Sequence, residues 1–280
     1  MPDALPDALP SVRAEVAAVA PRYRLALGSA RYRGRAGVRR GHGVGSSLEF
    51  HDFRDYAPGD DLRHVDWRGY ARSEQLRVRL HQEEVAPHVV VVLDGSASMA
   101  ATATKGRAAR VLCAALRHWA QREGAATRLG VLGVAGFVDD VEAVVFAGDP
   151  GPAPPGVPLR PGGVRVLVSD GLWLADPLPL VRALQHGASR FVCLQLLDPW
   201  ELAPEPGGAT ALVDAESSHR AELQLDARAI AAYRERLERL VGALRAPIVH
   251  GGGVFVQVAA AGLDAMAARA LVPAAVLEPA

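Results

Sequence analysis

The hydrophobic pattern divides the chain at about residue 88. Beyond it, apolar runs of strand length alternate with stretches of helical period. HVVVVLD (88–94) is continuously apolar, as expected of a strand buried on both faces. A helix follows over 105–122, with Ala108, Leu112, Ala115, Leu116 and Trp119 on one face and Gly124 as its stop. RLGVLGVAG (128–136) and VEAVVFAG (141–148) read as two strands, and the link between them is too short for a parallel crossover, which predicts a hairpin. A Pro- and Gly-rich loop covers 149–163. The strand VRVLVSD (164–170) follows, then a short helix at 175–187 and the strand RFVCLQLLD (190–198). Residues 208–225 predict a second hairpin. Asp226 caps a helix whose Ile230, Tyr233, Leu237, Leu240, Val241 and Leu244 share a face. VFVQV (254–258) is a last strand and 260–272 a last helix. The alternation predicts an α/β fold: a mostly parallel, Rossmann-like sheet with helices on both faces, spanning 88–280.

Residues 1–87 read as an N-terminal extension. The PDAL repeat of 1–10 carries no periodic signal. Ser11 caps a helix that Pro21 interrupts, and 28–47 is a Gly- and Arg-rich loop or irregular strand. Residues 48–87 are dense in charge, with a turn at Pro58-Gly59-Asp60.

Composition narrows the function classes. Half of the 280 residues are hydrophobic and 22% charged, a globular balance. The net charge of zero gives no prior for nucleic acid. Its distribution is uneven: between Glu15 and Glu49 there is no acid, while Arg22, Arg24, Arg31, Arg33, Arg35, Arg39 and Arg40 fall there. This arm is read as solvated or packed on an acidic partner, with RNA or anionic lipid as the alternative. Cys113 and Cys193 lie in apolar elements without metal spacing and read as buried thiols of a reducing compartment. The acidic, Pro-containing N-terminus does not resemble a signal peptide, and no apolar run approaches ~18 residues, so the expected location is cytoplasmic without a membrane span. The block Arg54–Arg72 alternates acids and arginines and is read as a salt-bridged clasp, with a partner-docking surface as its rival.

The candidate chemistry sits where strands end. In parallel sheets ligands bind beyond the carboxyl ends of strands. Two predicted strands end in aspartate there, Asp94 in VVVVLDGSASM and Asp170 in VRVLVSDGLW. With Ser96 and Ser98 they offer carboxylate and hydroxyl oxygens to a hard divalent ion such as Mg²⁺. The plainer reading is that Asp94 and the serines only cap the following helix. A haloacid dehalogenase-type phosphotransferase would need an acid where Ser96 stands. A hydrolase elbow would need Gly-x-Ser-x-Gly, which Gly95-Ser96-Ala97-Ser98-Met99 does not give. The nine histidines show no zinc spacing, and GHGVGSS (41–47) lacks the P-loop lysine.

GSSLEFHDFRDYAPGDDLRHVDWRGYARSEQLRVRLHQEE (45–84), the Asp94 loop, SDG (169–171), DPWELAP (198–204), ATALVDAES (209–217) and the Tyr233 helix together resemble bacterial von Willebrand factor A-like proteins of a family known as domain of unknown function 58. The resemblance implies a metal-ion-dependent adhesion-type site at Asp94, Ser96, Ser98 and Asp170. It also implies partnership with a MoxR-type AAA+ ATPase or its client, and a scaffold rather than an enzyme. The chain departs from the pattern in one place. Such sites add a threonine from the segment before the SDG strand, and here that segment (147–163) holds no Ser or Thr, with Asp149 as its only side-chain oxygen. The rivals are a metal-dependent hydrolase using Asp94 and Asp170, and a nucleic-acid or membrane-surface binder using the Arg arm.

Overall fold

The computed structural model describes residues 10–26, 49–82, 87–154, 156–216 and 219–280. The PDAL repeat and most of the Arg arm lie outside them. The elements in chain order are α1 (Val12–Val19), β1 (Tyr23–Leu25), β2 (Glu49–Asp55), α2 (Trp67–Ser73), β3 (Arg77–Gln82), β4 (His88–Leu93), α3 (Ala103–Arg122), β5 (Ala126–Val131) and β6 (Val164–Ser169). They continue with α4 (Leu178–Gln185), β7 (Arg190–Leu197), α5 (Pro199–Leu202), β8 (Gly208–Val213), β9 (Arg220–Leu225), α6 (Ala227–His250), β10 (Val254–Ala259), α7 (Leu263–Met266) and β11 (Leu277–Pro279). No helix among the described residues is long and apolar enough to cross a membrane.

The chain forms two compact units. One holds residues 1–28 together with 87–280, the other residues 29–86. Against a boundary drawn at residue 87, the described part of the first segment belongs with the sheet. Ser11 caps α1, accepting from the Ala14 amide at 3.2 Å, and Val12, Val16 and Val19 turn one buried face inward. The Trp119 indole of α3 donates to the Ala20 carbonyl at 3.1 Å. β1 then pairs antiparallel with β11, a strand that sequence reading did not foresee.

In the larger unit five strands form one parallel sheet in the order β10-β7-β6-β4-β5, flanked by helices. Every residue of β6 is buried, and five of six in β4, which explains their continuous apolar runs. The chain leaves β4 for β5 on one side and returns to β6 on the other. The order reverses between β4 and β6, and their carboxyl ends flank a crevice.

One expected element is absent. The hairpin of 128–136 and 141–148 is not formed: β5 ends at Val131, and a lone bridge from Gly130 to Phe137 replaces the ladder. Gly133 and Gly136 take positive φ of 78° and 84°, which turns the chain away from the sheet edge. Val141 and Val144 are buried while Val145 is 77% exposed, so the apolar spacing there serves an irregular segment. The β8–β9 hairpin and the Asp226-capped α6 form as expected.

The smaller unit pairs β2 with β3 antiparallel, with a register shift between Phe50 and Asp52. Arg54 grips Asp60 with both terminal nitrogens, at 2.8 and 2.5 Å, and Arg63 pairs with Asp61 at 2.7 Å. These ion pairs of the charged block are internal to this unit. The Arg63 side chain is 87% exposed, and such surface pairs contribute little.

Candidate functional site

Asp94 follows the last residue of β4 and is fully buried. Its amide donates to the Val168 carbonyl at 2.9 Å, which extends the β4–β6 ladder to the crevice. One carboxylate oxygen, Oδ1, accepts the Ser96 amide at 3.0 Å, and the other, Oδ2, accepts the Ser169 hydroxyl at 2.6 Å. Gly95 makes the turn because a Cβ there would stand 2.9 Å from the Leu132 carbonyl oxygen. The Ser96 and Ser98 hydroxyls then meet at 3.0 Å. The segment 147–149 runs beside this loop: the Ala147 amide donates to Gly95 and the Ala97 amide to Gly148, each at 2.9 Å. Asp149 is thereby held at the site's margin, its Oδ1 accepting the Gly151 amide at 2.8 Å.

Each letter of SDG has a separate reason. Ser169 donates to Asp94 and accepts the Gly171 amide at 2.9 Å. Asp170, 1% exposed, accepts the Leu172 amide at 3.1 Å. Gly171 has a φ of +66°, and a Cβ would lie 2.5 Å from Leu244 of α6. Of the four residues singled out from the sequence, Asp94, Ser96 and Ser98 are joined by hydrogen bonds, and Asp170 lies on the neighbouring strand end within electrostatic range of Asp94.

Sequence reading missed the cation beside them. Lys105, in the first turn of α3, is fully buried, and its ammonium donates to Asp170 Oδ2 at 2.9 Å and Glu201 Oε1 at 2.8 Å. Glu201 is held in turn by α5. Its other oxygen accepts the Asp198 amide at 2.7 Å, Asp198 accepts the Trp200 amide at 2.9 Å and the Thr102 hydroxyl at 2.7 Å, and Tyr233 of α6 donates to the Glu201 carbonyl at 2.7 Å. DPWEL is thus a clamp between α3 and α6. One sequence signal was available: Lys105 is the single lysine among 31 basic residues. A chain that otherwise uses arginine has a position here that wants a compact point charge rather than a planar fork.

A second omission is Glu216, at the tip of the β8–β9 hairpin. Burial and the nearby charges of Asp149, Asp170 and Asp214 raise its carboxyl above the ordinary range.

The site's electrostatics are set by two buried carboxylates, Asp94 and Asp170, and one buried ammonium, Lys105. Burial raises the Asp94 carboxyl above its ordinary range, the Asp170 charge raises it further, and the bonds from Ser169 and Ser96 only partly oppose this. Burial works against the Lys105 ammonium, but Asp170 and Glu201 outweigh it and hold it charged. No three Asp, Glu, His or Cys side chains gather into a metal-holding group among the described residues, so an ion here would depend on the serine hydroxyls. Cys113 and Cys193 are buried away from this chemistry, with their thiols pushed up by burial, Cys193 to about 12.

Residues 52–144 match the family model described as "Protein of unknown function DUF58". The uncharacterized proteins Rv1480 of Mycobacterium tuberculosis and Mb1516 of Mycobacterium bovis are each 28% identical to this chain, over 73% of it and 74% of their own length. These matches support a DUF58-family protein. Among solved structures, BatB from Bacteroides thetaiotaomicron, a conserved hypothetical protein, aligns at 13% identity with a TM-score of 0.35, covering 63% of this chain and 92% of BatB. An aerotolerance-related membrane protein from Bacteroides fragilis aligns at 14% with a TM-score of 0.32, covering 62% and 92%. The fold described above rests on its own strand ladders, not on these likenesses.

Proposed function

We propose that the chain is a cytoplasmic von Willebrand factor A-like binding module, not an enzyme. It holds Mg²⁺ at the β4–β6 crevice and partners a MoxR-type AAA+ ATPase or its client. The observation that carries this reading is the pair of serine hydroxyls 3.0 Å apart beside two buried carboxylates. Neighbouring ligands on an octahedral ion with bonds of ~2.0–2.1 Å stand about 3 Å apart, so Ser96 and Ser98 already have the spacing of two such ligands. Asp94 supplies charge and keeps spare lone pairs on both oxygens. Asp170 supplies charge too, but Lys105 already engages one of its oxygens. The donor set therefore fits a hard cation, held less tightly than a site with a free second carboxylate. A bound divalent ion would supply a Lewis-acidic position that an outside carboxylate can occupy.

The test is calorimetric titration of Mg²⁺ or Mn²⁺ into the full chain, its Ser98→Ala variant and its Asp94→Asn variant, beside capture from native lysate with and without EDTA. The expected result is binding weakened about tenfold or more in each variant, and capture of an AAA+ ATPase that EDTA abolishes. No binding at millimolar ion removes the metal from the function. A captured set without an ATPase removes that partner, and steady turnover of a phosphoester puts a hydrolase in its place.

A further inference from the structure

Two arginines interrupt the apolar strands of the parallel sheet near its β5 edge. In the ladder, Val90 of β4 stands between Arg128 of β5 and Arg165 of β6. Ladder partners share a face, so the two arginines rise on the same side of the sheet, two strand spacings or about 10 Å apart. His88, two residues before Val90, is on that side too. On this side Val90 and Val92 join the core formed with α4 and α6. α4 packs on β7 and α6 on β10, while Phe137 and Leu159 of the irregular chain before β6 pack against the same core. This cover leaves a cavity of about 350 Å³ at the amino ends of β4, β5 and β6, opposite the Asp94 crevice.

The positive charges around this cavity have no counter-charge. Among the described residues no Asp or Glu lines it, and no carboxylate pairs with Arg128, Arg160 or Arg165. Arg165, 2% exposed, donates to the Leu184 and His186 carbonyls at the end of α4, at 2.9 and 2.7 Å, and to the Arg160 carbonyl at 3.2 Å. It thereby fixes the backbone from which the Arg160 side chain springs. Arg160 donates to His88 Nε2 at 3.3 Å, and since a guanidinium cannot accept, the imidazole does. Arg128 lies over the Phe137 ring, its guanidinium carbon 5.8 Å from the centroid, an arrangement that leaves the N–H groups at the edge of the fork open. Elsewhere arginines find acids: Arg24 pairs with Glu278, Arg54 with Asp60 and Arg107 with Glu15. In a chain of zero net charge, a concave site of one sign concentrates field and draws anions.

We propose that this cavity is a binding site for a small organic oxyanion. The phosphate or carboxylate head meets the forks of Arg128 and Arg160, whose paired donors match either group. The apolar body lies on Val90 and the Phe137 ring. The volume is near the lower end of the ~300–1,000 Å³ usual for small-molecule sites, which suits a ligand of single-ring size. The site needs no metal and stands independently of the crevice at the other ends of β4 and β6.

The test titrates phenyl phosphate, benzoate, inorganic phosphate and benzyl alcohol by calorimetry into the full chain and two variants, Arg128→Gln/Arg160→Gln and Arg128→Lys. EDTA and fixed ionic strength keep any metal at the crevice from holding the anion. Both substituted side chains are exposed, and Arg128→Lys keeps the charge while removing the fork. Amide hydrogen exchange is followed in peptides covering 126–137 and 156–165. The expected result is saturable binding of an aromatic anion, weakened at least tenfold in the double variant and less in Arg128→Lys. Exchange slows in both peptides, inorganic phosphate binds more weakly than phenyl phosphate, and benzyl alcohol does not bind. The tighter of phenyl phosphate and benzoate identifies the head group. No saturable binding of either aromatic anion, or equal binding by parent and double variant, overturns the site. Inorganic phosphate bound as tightly as phenyl phosphate overturns the organic ligand.

Discussion

At the residue scale the centre of the molecule is a charge balance around one lysine. Lys105 neutralises parts of two carboxylates and has no exposure to water. Removing one member of a buried ionic group costs more than the group itself contributes, because the remaining charges stay desolvated and unpaired. Lys105→Met should therefore lower unfolding free energy by about 3–5 kcal/mol in urea titrations. Lys105→Arg should not restore it, since a planar fork does not fit a site closed around a point charge at 2.8 and 2.9 Å. If Lys105→Met unfolds at the same urea concentration as the parent, the network is relaxed by water and the balance is unimportant. Lys105 also shows where sequence reading stops. The period of α3 puts it on the helix, but only the fold brings it to Asp170, 65 residues away, and to Glu201, 96 residues away.

At the element scale, the parts that could be read were those whose periodicity matched their burial. β4 and β6 are apolar throughout and central, α6 keeps its stripe, and Asp226 caps it with a 2.8 Å bond to the Ala229 amide. The irregular 132–148 segment misled because valines can be buried without forming a ladder, and β11 is too short to leave a pattern. Asp94 and Asp170 were legible because strand ends are marked by the loss of apolar runs. Glu216 was not, since nothing local says where a hairpin tip points. The α5–α6 contact makes a prediction of its own. Burial pushes the Tyr233 hydroxyl up to about 12 from an ordinary 10.0, and the Glu201 charge adds to the shift. The folded state thus keeps this proton where the unfolded state gives it up. The contribution is fully present below pH 10 and declines as pH rises toward 12. Tyr233→Phe should flatten that alkaline decline in thermal melts between pH 9 and about 12. A slope unchanged in the variant would assign it to other groups.

At the scale of the whole molecule, the segment before the smaller unit belongs to the architecture of the larger one. Glu15 of α1 binds Arg107 of α3 and accepts the Leu263 amide of α7 at 2.8 Å, so one carboxylate ties three helices together. Tyr23 meets the Trp119 ring edge-on at 6.4 Å and donates to Asp264 at 3.0 Å. Trp119 and Arg122 both donate to the Ala20 carbonyl, at 3.1 and 3.0 Å. Deleting residues 1–26 would strip three buried valines, at ~1.5–3 kcal/mol each, and leave the Trp119 indole without its acceptor. Ordering entropy offsets part of this. The net loss should still be at least about 3 kcal/mol, a large share of the ~5–15 kcal/mol typical of a domain. Urea unfolding followed by tryptophan fluorescence reads it directly, with a red-shifted native spectrum reporting exposure of Trp119. Because α3 carries Lys105 in its first turn, loosening this helix also disturbs the crevice, and Mg²⁺ should then stabilise the truncated chain less than the parent. A truncated chain with parental stability and an unshifted spectrum would make the segment an accessory, and the β1–β11 ladder a contact without consequence for the fold.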